Sequence, residues 1–524
     1  MKPMLPLQHS SRGHRTRRRS SWVPRAILLG LFAATLSIPT IGLCASTGSP
    51  VPLFVETPSG IPPAIDQAFP PAQLSKQWVR RHHTMGLNPA ALEAMKLSRK
   101  ESKQDISLNL FDAGTRTLEL DEPEIHRNKA KVWRGRVRGD QDSDVTLSVR
   151  GKKMAGTIVS GQRLYKIEPT EDNRHRLVEI DDDAMRPDHH PLVVPDDGTP
   201  AEPPAPEPKL KHSETTATTE SVTTAAATTT NTIVDLMVVY TTTARIKQGG
   251  LSAMNALIAM SVDLANQAYQ NSQIAMRLRL VRTAEVAYTE TGNMNTDLVR
   301  LRSTSDGFMD QVHTLRDQYK ADLVTLIVDN GGAYCGIAYV MANGPRASFA
   351  SYAFSVTDRD CISNNTLTHE LGHNMGDAHD RESGGTGVYP YSYGYRDPIG
   401  KFRTIMAYPC PTVSCPRVKY FSNPKILING RPAGIDYAIN PSKSADNARS
   451  MNEVRNVIAA WRASTTTSAA TAPSRLRDVR PDSRDDLDDD ADDDSDDDMD
   501  DNAPNKPRKD APGTSRGKSP APTP

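Results

Sequence analysis

The chain has 524 residues, with 63 lysines and arginines balanced by 63 aspartates and glutamates, so no basic excess marks it as a nucleic-acid binder. That length accommodates two or three domains. Only 5% of the residues are aromatic while 39 are proline, which leaves part of the chain outside any packed core.

At the N-terminus, Arg12, Arg15, Arg17, Arg18, Arg19 and Arg25 precede an apolar run from Ala26 to Ile41 and small residues at 42–46. This is the layout of a cleavable export signal, assigned to residues 1–45. Pro39 and the small residues spoil a full membrane span, so secretion without stable membrane association is expected. Residues 46–207 form a separate region. Apolar positions alternate through 106–118 and 131–181, which predicts a small β-rich domain. Its core is expected from Trp133, Val137, Val145, Leu147, Val149, Ile158, Tyr165 and Ile167. Residues 208–231 are rich in threonine and alanine and too poor in large apolar residues to fold. This linker is the natural place for maturation cleavage.

Residues 232–464 read as the main domain. Strands are predicted over 233–240, 274–288 and 322–328, with helices over 254–269 and, broken near Gly307, over 296–319. Strand–helix–strand–helix–strand order implies a mostly parallel α/β layer. Residues 349–355 are expected to add an antiparallel edge strand. A histidine-bearing helix should begin near Asn364-Asn365-Thr366, whose side chains suit a cap. An amphipathic helix over 444–461 should close the domain. Beyond 465 the composition changes again, with fifteen aspartates between Asp478 and Asp501. Such a block repels itself, and a disordered acidic tail over 465–524 is expected.

The chemistry concentrates in His369-Glu370-Leu371-Gly372-His373-Asn374-Met375-Gly376-Asp377-Ala378-His379-Asp380. Each helical residue advances ~100°, so His369 and His373 lie ~40° apart on one face, able to reach one ion at ~2.0–2.1 Å. A continuing helix would carry His379 ~15 Å along the axis and onto another face. The chain must therefore turn back, and Gly376 is where it can. Three imidazoles with a fourth position left for water make a catalytic zinc site, one Zn2+ in all. Glu370 is not needed as a ligand and can act as the base on that water. Among residues 232–461 the only other histidine is His313. The four cysteines left after signal removal predict two disulfides, with three pairings open. Cys335–Cys361 with Cys410–Cys415 is preferred. The first would tie the segment before the helix to its start, and the second would brace the loop after Met406.

The eleven-residue histidine motif, followed by Thr404-Ile405-Met406-Ala407-Tyr408, resembles the metzincin metalloproteases. In that resemblance Met406 is the Met-turn, an apolar floor beneath the metal. Asn374-Met375-Gly376 and Asp380 resemble the reprolysin branch, whereas Tyr408 resembles branches in which such a tyrosine ligates zinc or stabilises the transition state. With Tyr334-Cys335-Gly336-Ile337-Ala338-Tyr339 upstream, the mosaic over 233–461 is most similar to the bacterial peptidyl-Asp metalloendopeptidases. The resemblance implies an α/β (α+β) zincin-type catalytic domain that holds protein or peptide substrates as an added strand on its edge strand. It implies hydrolysis at aspartyl residues and a propeptide role for the β-rich region. A retained accessory domain is the alternative for that region. With no cysteine there to cover the metal, Asp188, His189 and His190 are candidates to do so. Pairing a substrate carboxylate needs cations, and Arg396, Lys401, Arg403, Arg417 and Lys419 lie near the Met-turn. An aspartyl specificity would make the acidic tail the enzyme's own substrate, trimmed during maturation. The mature form is expected to be a monomer. The alternative function is a zinc-binding module that holds peptides without cutting them. An intact glutamate and three intact histidines speak against it.

Overall fold

The computed structural model describes residues 49–55, 77–97, 105–170, 172–194 and 231–462. The export signal, nearly all of the linker and the acidic tail lie outside the described residues. Every described residue belongs to one unit, Met1–Thr465.

The N-terminal region is built around a meander of five strands: β1 (Lys131–Val137), β2 (Asp144–Arg150), β3 (Lys153–Ser160), β4 (Arg163–Pro169) and β5 (His175–Ile180). Each pairs antiparallel with the next. Further strands extend the sheet at both ends, including Val79–Leu87 beside β5. The eight apolar residues that the alternation singles out all lie in one buried cluster of this region.

The second sheet has six strands, and one of its two outer strands comes from the N-terminal region. That strand is β6 (Leu192–Val193). The others are β7 (Thr232–Thr241), β8 (Met276–Val286), β9 (Leu323–Val328), β10 (Gly336–Val340) and β11 (Phe354–Asp358), in the order β6-β10-β11-β9-β7-β8. All pairings are parallel except β10 with β11. The expected edge strand at 349–355 is corrected here. Ala347–Tyr352 forms a 3-10 turn, and β11 runs inside the sheet, parallel to β9. The antiparallel strand is β10. The 3-10 turn forms here because Phe349 packs inward on Trp461, with ring centroids 5.6 Å apart.

Helices α1 (Thr242–Gln248) and α2 (Leu251–Asn271) follow β7. Helix α2 is buried on nearly every side because β8 packs on one flank and β2 and β3 on another. Its two flanks differ in chemistry. Leu257, Leu264 and Ala268 join the catalytic core. Toward the N-terminal region, at four-residue spacing, stand Asn255, Ala259, Asp263 and Gln267. The Asn255 carbonyl accepts from Asn128 at 2.9 Å, Asp263 pairs with Arg134 at 2.5 Å, and Gln267 donates to Thr146 at 2.9 Å. Between them Ala259 packs on Ala130 and Val132. Helices α3 (Met294–Arg302) and α4 (Gln311–Tyr319) follow β8, separated around Gly307 as the sequence implies. The domain closes with α6 (Asn447–Ile458), capped by Asp446, after the histidine-bearing α5 (Thr366–Asn374).

Candidate metal centre

Helix α5 faces the core with Leu367 and Leu371, which turns His369, Glu370 and His373 toward the cleft. Asn365 occupies its N-cap position with φ +61°, but its side chain makes no capping hydrogen bond, so the expected cap is only positional. The far end is held by Asn374, which donates to the carbonyls of Tyr339 and Phe354 at 2.9 and 3.1 Å. The chain then reverses at Gly376, whose φ is +98° and whose absent Cβ would meet Val388 at 2.6 Å. This reversal carries His379 back over the helix.

The three Nε2 atoms of His369, His373 and His379 form a triangle with sides of 3.1 Å. Nitrogens on a tetrahedral ion with bonds of ~2.0–2.1 Å lie ~3.3 Å apart, so the triangle has the size of a metal site. The second ring nitrogens fix the tautomers. His369 Nδ1 donates to the Ile405 carbonyl at 2.8 Å and His373 Nδ1 to the Asp377 carbonyl at 2.7 Å, leaving both Nε2 lone pairs aimed inward. Burial lowers all three histidines, aided by Arg417 at His369, which falls to about 4, and by the neighbouring histidines at His373 and His379, so they stay neutral as ligands must. Three inward lone pairs at this separation repel one another unless a cation sits between them. The donor set fits the metal.

Glu370 is fully buried, and neither carboxylate oxygen has a hydrogen-bond partner among the described residues. Burial, reinforced by the charge of Asp188, pushes its carboxyl well above the ordinary range. Space for it comes from Gly336 on β10, where a Cβ would stand 2.4 Å from Glu370 Oε1. Met406 lies fully buried beneath α5, and Gly372 makes room for it, since a Cβ there would meet its sulfur at 2.5 Å. Asp380 pairs with Arg396 at 2.6 Å and accepts from the Tyr408 backbone at 3.0 Å, which ties the third histidine to the turn below. The Tyr408 ring stands 4.1 Å from that of His379, and its hydroxyl donates to the Asp188 carbonyl at 2.8 Å. Cys335 is bonded to Cys361 and Cys410 to Cys415.

Asp188, His189 and His190 reach the centre but do not form part of its donor set. Asp188 pairs instead with Arg417 at 2.5 Å, the His190 ring faces His379 at 5.4 Å, and His189 stacks edgewise on Tyr334. The metal-covering role is corrected accordingly: the Asp188 carboxylate is drawn to a guanidinium. Of the five cations near the Met-turn, only Arg403 and Arg417 are buried against the N-terminal segment. Arg396 serves Asp380, Lys419 pairs with Asp144, and Lys401 is exposed. Sequence reasoning missed Asp182, Gly336 and Thr366. Asp182 could have been noticed, because it stands in the acidic run Asp181-Asp182-Asp183 shortly before Asp188. Among the described residues a second group, Glu124, His126 and Asp263, could hold a cation, but Arg134 and Arg277 already neutralise its carboxylates.

Comparison with known proteins places this site in a family. A profile of the metallo-peptidase family M12B, reprolysin-like, matches residues 230–436. A peptidyl-Asp metalloendopeptidase of Stenotrophomonas maltophilia (strain R551-3) is 34% identical over 350 residues, covering 63% of this chain and 77% of the relative. One from Xanthomonas campestris pv. campestris is 35% identical over 322 residues, covering 60% and 68%. A third, from Pseudomonas fragi, is 34% identical over 199 residues, covering 38% of this chain and 99% of the relative. The chain belongs to the peptidyl-Asp metalloendopeptidases, a reprolysin-like family, and is a metalloendopeptidase.

Proposed function

We propose that the protein is an exported zinc endopeptidase that cuts at aspartyl residues and is kept latent by its N-terminal region. The carrying observation is the Nε2 triangle beside a buried carboxylate with no partner of its own. A bound zinc supplies a water acidic enough to ionise near neutral pH and a positive charge for the developing oxyanion. Glu370, whose carboxylate oxygens have no hydrogen-bond partner among the described residues, accepts the proton of the attacking water and passes it to the leaving amine. His369 and His373 keep their orientation through the Ile405 and Asp377 carbonyls. Tyr408, with a hydroxyl that already donates to a peptide carbonyl, offers a donor to the scissile oxygen. The aspartyl preference rests on the names of the relatives and on buried arginines next to the cleft.

Latency is supported by occupancy. Cys335 donates to the Pro187 carbonyl at 2.9 Å, His189 donates to the Gly336 carbonyl at 2.8 Å, and β6 continues the pairing along β10. Residues 187–193 thus fill the added-strand position where a substrate backbone would lie. Release is supported by the chemistry of the contact. Seven ion pairs between described residues join the two regions and the facing stripe of α2 is polar or small, beside a smaller apolar contact in which Trp78, Val178, Ile180 and Met185 pack on the Cys335–Cys361 bond. Casein hydrolysis that disappears with 1,10-phenanthroline and returns with zinc is the expected result. Glu370→Gln should keep one zinc per chain and hydrolyse nothing, while His373→Ala should lose both. A Glu370→Gln protein as fast as wild type would sink the mechanism.

A further inference from the structure

The acidic segment that covers the cleft also fills a pocket in it. Asp188 is inserted with its carboxylate on Arg417 Nη2 at 2.5 Å and on the Thr366 hydroxyl at 3.3 Å. Thr366 lies one turn ahead of His369 on α5, and the same carboxylate stands 3.7 Å from His369 Nδ1. The pocket is therefore adjacent to the metal-binding rings. Arg417 does not depend on Asp188 for its placement, because its Nη1 donates to the Asn364 carbonyl at 3.0 Å. Its side chain is 3% exposed, yet among the described residues its only ion-pair partner comes from the N-terminal region. Arg403 repeats the pattern. Its Nη1 donates to the Ala407 carbonyl, and its ion pair at 2.7 Å is with Asp182. A guanidinium buried this far must have a carboxylate or water facing it. Among the described residues no carboxylate of the catalytic domain is in direct ion-pair contact with either guanidinium, and only Glu370 adds its charge to Arg417 from farther away.

Resting on the endopeptidase reading above, we infer that Arg417, with Thr366, is the site that selects a substrate aspartate, and that Asp188 is a built-in mimic of that aspartate. The backbone around Asp188 behaves as a substrate backbone would. Its neighbours are hydrogen-bonded to the edge strand, and its own carbonyl receives the Tyr408 hydroxyl at 2.8 Å. The reach of the pocket sets the side chain it takes. A carboxyl one methylene from its Cα meets Arg417 and Thr366 together, so aspartate fits and the longer glutamate does not sit on both. Asparagine keeps the shape but forfeits the charge-assisted bond. The N-terminal region thus inhibits by presenting the residue that the enzyme seeks, on a strand that runs parallel to β10.

The test uses zinc-loaded full chain, before and after limited proteolysis in 208–231, with matched quenched peptides carrying Asp, Asn or Glu at one position. Nicked wild type separated from its N-terminal region should favour Asp over Asn on the order of 10²-fold. Arg417→Gln should bring that ratio to within about threefold while the Asn peptide is still cut. Before nicking, Asp188→Asn should raise hydrolysis of the Asp peptide about tenfold over wild type, because the mimic is weakened. Should Arg417→Gln fail to fold, calorimetry decides. A synthetic peptide of residues 180–194 should bind nicked Glu370→Gln protein at least about tenfold more tightly than the same peptide with Asp188→Asn. An Arg417→Gln enzyme that keeps the wild-type ratio, or equal binding of the two peptides, overturns the assignment. Wild type that carries zinc but cuts none of the peptides instead refutes the endopeptidase reading, and wild type that cuts all three alike refutes only the aspartyl preference.

Discussion

Gly336 shows how one missing methyl can serve the carboxylate proposed as the catalytic base. A Cβ at this position would lie 2.4 Å from Oε1 and 2.8 Å from Cδ of Glu370, the movable end of a side chain rather than backbone. The cheapest response to Gly336→Ala is therefore to push the carboxylate aside, leaving the fold and the histidines in place. The expected outcome is a fall in kcat of ~10²-fold or more with zinc content unchanged, measured by steady-state kinetics beside metal analysis. Gly372→Ala should act in the opposite way. Its Cβ would meet the buried sulfur of Met406, so a loss of about 1–3 kcal/mol in stability is expected from denaturant unfolding. The histidines and Glu370 could be read from sequence because helical spacing and one glycine dictate where they point. Gly336 could not, because what it makes room for arrives from a helix more than thirty residues downstream.

Among the elements, β10 is the one the sequence hides. It opens on a glycine, is apolar throughout, and lacks the alternation that marks a half-exposed strand, because all five residues are buried and α5 packs on the strand. Of the segment at 349–355, only Phe354 and Ser355 enter a strand, the interior β11. Parallel strands β7 and β9 were legible for the reverse reason: uninterrupted β-branched runs suit a sheet covered on both faces. The Cys335–Cys361 bond joins the start of β10 to the turn that precedes α5 and closes a loop with a sequence separation of 26. Replacing both cysteines with serine should lower stability by about 3 kcal/mol on the chain-entropy account, read as a shift in the urea midpoint. Activity toward long peptides should suffer more than activity toward short ones, because the edge that pairs with substrate backbone loses its anchor.

Across the whole molecule, pH acts on the N-terminal region through His175. The side chain is buried between β3 and β5, and its Nε2 accepts from the Met154 backbone at 3.0 Å. Burial, aided by Lys153, lowers its pKa from 6.5 to about 4. The folded state therefore binds fewer protons than the unfolded chain between those values, and stability falls as pH drops from 6.5 toward 4. The loss from this residue is about 3 kcal/mol at most. Thermal unfolding of the full chain should show a Tm that declines across this window, with a shallower decline in His175→Gln. An unchanged slope in that variant would remove His175 as the cause.

The polar stripe on α2 has a practical corollary. A helix that meets its neighbour through Asn255, Asp263 and Gln267 can be left bare without becoming sticky, so the two regions need not be covalently joined to find each other. Supplied as separate polypeptides, they should assemble in dilute buffer and come apart reversibly as sodium chloride is raised. Size-exclusion chromatography would follow this as a shift between one peak and two.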